Sequence, residues 1–173
     1  MKSAIHKIIA IFTVFLVFCS SAPDENGNLE ATGTEETEVP SSLELDSKVA
    51  VDFMNSYIDN CNKMRDAVEM VKWTEASPLA TNDLKNALKK MVEDAWKDDP
   101  EMGLGFDPLF DAQDYPDEGV VLASFDKKTG VVLVKGINWD SYEVALKLVL
   151  ENDKVLVDGC GVVNLPKKLQ APR

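Results

Sequence analysis

The sequence predicts an α+β domain in which two to three N-terminal helices pack on a curved four-stranded antiparallel sheet. Three observations predict it. Apolar residues recur at helical spacing through residues 48–97 and at strand spacing after residue 119. A glycine-bearing hairpin turn stands between the first two strand-like runs. No alternation of strand and helix suggests a parallel sheet, and helices followed by a meander is an α+β order.

Val49, Phe53, Tyr57, Cys61, Met64, Val68 and Val71 form one apolar stripe, which predicts a single long amphipathic helix capped by Ser47 or Asp46. Trp73 to Leu79 contains Ser77-Pro78 and reads as a break. A second helix is expected from Asn82 to Lys97, with Leu84, Leu88, Met91 and Ala95 on one face, Thr81 as its cap and Asp98-Asp99-Pro100 as its stop.

The passage from Glu101 to Gly119 is rich in Gly, Pro and Asp, yet Leu104, Phe106, Leu109, Phe110 and Tyr115 call for burial. A long loop that packs like core is structural or functional. Strands follow at Val120 to Asp126 and Val131 to Lys135, flanking Lys127-Lys128-Thr129-Gly130. From Tyr142 to Leu150 apolar residues occupy every second position, and Asn152-Asp153-Lys154 turns the chain into a last strand from Val155 on through Cys160 to Val163.

Ahead of the domain, Lys2 and Lys7 precede an uncharged run from Ile8 to Phe18. Eleven residues are too few to cross a bilayer, where about 20 are needed, and the pattern is that of an export signal over residues 1–18. Cys19 follows at the position of a bacterial lipoprotein cysteine, so a lipid anchor there is the first expectation; cleavage after Ser21 or Ala22 is the alternative. Either route leads out of the cytoplasm, to the cell envelope or to free secretion. Residues 19–47 hold eight acids and no Lys or Arg, the composition of a disordered acidic tether.

That division reallocates the charge. The whole chain has 18 basic and 30 acidic residues, net −12, but after Ser47 there are 16 basic against 22 acidic residues, net −6. Residues 48–173 are thus one mildly acidic domain, a poor partner for nucleic acid, whose phosphates need a basic face. The single histidine, His6, lies in the signal. A mature chain without histidine excludes Ser-His-Asp and Cys-His catalysis and histidine metal centres.

Little else is specific. An EF-hand registered on Asp107 has Ala112 where glycine is needed, and one registered on Asp111 has Pro116 there, so the calcium loop fails. A looser oxygen site from Asp111, Asp114 and Asp117 has no better support, and no metal is expected. Gly103-Leu104-Gly105 lacks the third glycine of a phosphate-cradling loop, and no cofactor is expected. Cys61 and Cys160 form an even pair in an exported chain: a bridge would stabilise by roughly 4 kcal/mol in the chain-entropy treatment, while two small buried hydrophobes are the alternative.

Gln113-Asp114, set between aromatics, would be desolvated, and a carboxylate there would titrate high and serve as a proton acceptor or ligand handle. Asp and Pro as plain turn formers account for the same residues. Trp139, between Asn138 and Asp140 near a strand edge, could contact a ligand. The ligand-binding candidates are therefore Phe106, Asp107, Gln113, Asp114, Tyr115 and Trp139; were the protein an enzyme, Asp107, Asp114 and Tyr115 would carry the chemistry.

The signal with its early cysteine, the acidic tether, the helices, the run Gly103-Leu104-Gly105-Phe106-Asp107-Pro108 with Ala112-Gln113-Asp114-Tyr115-Pro116, and the closing Val157-Asp158-Gly159-Cys160-Gly161 resemble an uncharacterised family of small exported proteins of Bacteroides-type bacteria. That family is similar to the nuclear transport factor 2-like, or cystatin-like, superfamily. The resemblance implies a bent sheet wrapping helices into a cone. It leaves three roles open: a non-catalytic module binding a small molecule, peptide or protein; a carboxylate-dependent isomerase or hydrolase working in the cone; and an interaction or inhibitor domain acting through its sheet face. Fold likeness alone grants no reaction.

Overall fold

In the computed structural model, residues 44–172 are described; the expected export signal, Cys19 and most of the expected acidic tether lie outside the described residues. Three helices precede a four-stranded antiparallel sheet of order β1-β2-β3-β4, an α+β architecture. Among the described residues no helix is long and apolar enough to cross a membrane.

Helix α1 (Lys48–Cys61) buries Ala50, Phe53, Met54, Tyr57 and Ile58, an i, i+3, i+4 stripe that faces the sheet. Its cap is Asp46, whose carboxylate accepts from the Lys48 N–H at 2.9 Å; Ser47 makes no capping bond. The helix does not run on to Val71 as its stripe predicts. It ends at Cys61, a single 3-10 turn follows at Met64–Asp66, and α2 (Met70–Ala76) begins separately. Asn60 explains the break. Its buried side chain donates to the Val68 carbonyl at 2.8 Å and accepts from the Val68 N–H at 2.9 Å, clamping the chain eight residues on. Met64 turns the corner with φ of 55°.

Helix α2 occupies part of the stretch expected to be a break, and its cap is Glu69, whose carboxylate takes the N–H groups of Val71 and Lys72. The chain breaks only at Ser77-Pro78. Helix α3 (Asn82–Asp98) starts as expected at Thr81, whose hydroxyl accepts from the Leu84 N–H at 3.1 Å, and buries Leu84 and Leu88.

Strands β1 (Val120–Asp126), β2 (Val131–Gly136), β3 (Glu143–Glu151) and β4 (Lys154–Cys160) pair in sequence order. Register shifts between Leu122 and Ser124 and between Lys147 and Leu148 bend the strands locally. The β1–β2 turn requires Gly130: φ is +70°, and a Cβ there would lie 2.5 Å from the Leu148 carbonyl oxygen. Between β3 and β4, Asn152 and Asp153 both take positive φ, which short polar side chains tolerate.

The last strand is shorter than expected. It stops at Cys160 and doubles back, with Cys160 and Val163 exchanging backbone hydrogen bonds. One edge of the sheet is covered: the N–H of Thr81 reaches the Val157 carbonyl and the N–H of Val157 reaches that of Leu79. The inner face is filled rather than hollow. Phe53, Met54, Ile58, Leu84 and Leu88 from the helices close on Val132, Val134, Leu146, Leu148 and Val157, all nearly inaccessible to solvent.

Candidate functional site

The passage 101–119 lies between α3 and β1; Pro108, Leu109, Phe110 and Asp111 in its middle are buried, while Gln113, Asp114, Asp117 and Glu118 after them are exposed. In the first half, Asp107 heads a tight turn closed by backbone bonds to Ala112. One carboxylate oxygen of Asp107 accepts from the N–H groups of Leu109 (2.8 Å) and Phe110 (3.1 Å), and the other accepts from the Tyr57 hydroxyl at 2.5 Å. Burial holds this carboxyl above the usual carboxylate range, against the downward pull of those three hydrogen bonds. The same burial, with the Asp107 charge beside it, pushes the Tyr57 hydroxyl well up and the Cys61 thiol to about 11.

The bridge weighed for the cysteines is not formed: Cys61 and Cys160 are free thiols with different neighbours. Cys160 is buried, donates to the Leu109 carbonyl at 3.3 Å and lies 3.4 Å from the Met54 sulfur. Cys61 is half-buried near Tyr57 and Asp107.

In the second half the chain comes out to solvent. Gln113 and Asp114 are exposed rather than enclosed by aromatics, which corrects the expectation of a desolvated carboxylate there. Asp114 accepts from the adjacent Tyr115 N–H at 2.9 Å. The ring of Tyr115 stacks on Phe110 at 4.9 Å, and Phe110 in turn packs on Tyr57. An aromatic row thus runs from the buried Asp107 turn to the surface.

At its outer end is a cleft of about 700 Å³ built from three segments. The corner after α1 supplies Asn62 and Met64, the emerging loop supplies Asp114, Tyr115, Asp117 and Glu118, and the β2–β3 turn supplies Trp139. Asn62 ties the first two together, its amide donating to the Asp117 carbonyl at 2.8 Å and its oxygen accepting from the Tyr115 hydroxyl at 3.2 Å. The third is tied by the Ile137 N–H to the Gly119 carbonyl and by the Asn138 amide to the Glu118 carboxylate. The Trp139 indole N–H donates to the Ser141 hydroxyl, which leaves the ring, 37% exposed, beside the cleft. Met64 is 78% exposed. Desolvation, then the neighbouring charges of Cys61, Asp117 and Asp114, push the Tyr115 hydroxyl up.

The six sequence candidates therefore separate. Asp114, Tyr115 and Trp139 meet in the cleft. Phe106 and Gln113 line a different depression of about 430 Å³ with Met102 and Leu104, where Gln113 donates to the Gly105 carbonyl. Asp107 lines neither. Asn62, Met64 and Glu118 escaped the sequence reading because they join the site only through the unforeseen end of α1 and the return of the loop.

The three loop acids considered for a metal do not converge. Asp111 is buried and accepts from the Ala171 N–H at 2.6 Å, whereas Asp114 and Asp117 are exposed. Among the described residues no group of three Cys, Asp or Glu side chains could hold a metal ion. No family model, curated protein or solved structure matches this chain.

Proposed function

We propose that this is an exported, non-catalytic binding module, anchored through Cys19 and related to the nuclear transport factor 2-like domains, whose ligand occupies the cleft between Met64, Tyr115 and Trp139. The observation that carries this reading is the separation of reactive and accessible groups. The carboxyl raised by burial, Asp107, is half-buried, has its oxygens taken up by Tyr57 and two backbone N–H groups, and is absent from every cleft lining described above. An acid-base enzyme needs that group within hydrogen-bond reach of a substrate. The accessible surface instead joins exposed aromatic and thioether side chains to polar groups, a combination that suits recognition. The filled inner face supports a rim site over an interior pocket.

A fragment survey by NMR on the full chain tests the reading. Compounds that bind should shift the Trp139 indole N–H and the Met64 methyl, and Trp139→Ala should abolish the shift of the Met64 methyl while leaving the rest of the spectrum dispersed. Fragments that gather elsewhere and bind Trp139→Ala equally well would contradict it.

A further inference from the structure

We infer that the cleft takes a basic peptide segment, seating its Lys or Arg side chains between the faces of Tyr115 and Trp139 and the carboxylates of Asp114, Asp117 and Glu118. This rests on the reading of the cleft as a binding site and adds the chemistry of the ligand. The first argument is charge. Asp114, Asp117 and Glu118 have no cationic partner among the described residues, and no basic residue lines the cleft. Three like charges around one concavity repel one another, and an incoming cation relieves that repulsion while the net −6 of the domain steers it inward.

The second argument is shape and surface. Among the described residues the carboxylates do not gather into a group that could hold a metal ion. Exposed aromatic rings attract guanidinium and ammonium groups through their faces, and a thioether packs on the alkyl stem. A cleft of about 700 Å³ has room for more than one ammonium head, which favours side chains presented along a peptide over a free small cation.

The test is a titration of the labelled full chain with three probes: acetylated, amidated Gly-Arg-Gly-Arg-Gly, its Glu counterpart, and arginine amide. The arginine peptide should shift the Trp139 indole N–H and the Met64 methyl saturably, the Glu peptide should not, and arginine amide should bind at least tenfold more weakly. Asp114→Asn, Asp117→Asn and Glu118→Gln together should weaken the arginine peptide by about tenfold or more, roughly two- to threefold per exposed charge, with the spectrum otherwise unchanged. Binding should also weaken severalfold on going from low salt to about 0.15 M. Equal shifts from the Glu peptide would overturn the cationic ligand and leave the binding site standing. Arginine amide binding as tightly as the peptide would overturn the peptide source. Silence of both cleft signals with all three probes would overturn the inference, and the binding reading would fall with it only if the fragment survey also left the cleft silent.

Discussion

Asp107 and the acids of residues 114–118 lie in one loop a few positions apart, yet they do opposite work. Asp107 is half-buried, with three donors on its two oxygens and an aromatic neighbour on each side of its Tyr57 partner. Asp114 and Asp117 are outside, and Asp114 has only the adjacent Tyr115 N–H. The difference teaches that residue type in a Gly, Pro and Asp-rich passage says little about role. What decides is where the chain is pinned: here by Asn62 to the loop's outer half and by the β4 end to its inner half.

The pin on the inner half is the place to break the comparison with the largest effect. Gly161 has φ of +59° and a Cβ there would meet the Pro108 carbonyl oxygen at 2.2 Å, while the next N–H, of Val162, bonds that same carbonyl. Gly161→Ala should cost about 3 kcal/mol or more by urea unfolding, combining backbone strain with a clash that neither side can relieve by rotating a side chain. A smaller effect is expected from Tyr57→Phe, about 1.5–3 kcal/mol, because it removes a hydrogen bond from a buried carboxylate and leaves that charge under-solvated.

Asp107→Asn should have a smaller effect still, and its signature is in the pH dependence. The Asp107 carboxyl is held above its unfolded value, which is near 3.9. Between the two values the folded state binds more protons, so the stability from this group is full below the unfolded pKa and is lost as pH rises through the folded pKa. Asparagine keeps the turn's acceptor without titrating. The urea midpoint of Asp107→Asn should therefore gain on that of the parent as pH rises from about 4 and level off above the folded pKa. A variant that instead loses ground with rising pH would show the carboxylate to be net stabilising. Smallest of all, Asp114→Asn, Asp117→Asn and Glu118→Gln together should move the urea midpoint slightly upward, since the charges repel one another while the amides keep an oxygen to accept from the Tyr115 N–H and the Asn138 amide; a clear drop would mean that the charges themselves brace the loop.

The fold was legible where local chemistry and periodicity agree. Thr81 before a helical stripe, Gly130 in a hairpin and the apolar residue at every second position through β3 each have one structural solution. The break after Cys61 was not legible, because Met64, Val68 and Val71 continue the stripe at helical spacing while the residue that breaks it, Asn60, lies off the stripe and acts through a contact with Val68. Glu69 as a cap was hidden for a related reason: a glutamate reads as a helix former before it reads as a cap. Three of the seven cleft residues were among the binding candidates, Asp114 and the two aromatics Tyr115 and Trp139, all in turn-rich surroundings. Met64 was read as core, and only the corner that ends α1 carries it to the surface.

The central claim, that the inner half of the loop holds the fold and the outer half meets the ligand, is tested most directly by carboxyl-carbon NMR of the full chain during titration with the arginine peptide. The account predicts saturable shifts of the Asp114, Asp117 and Glu118 carboxyl signals with that of Asp107 left in place. Movement of the Asp107 signal instead of the other three would contradict it.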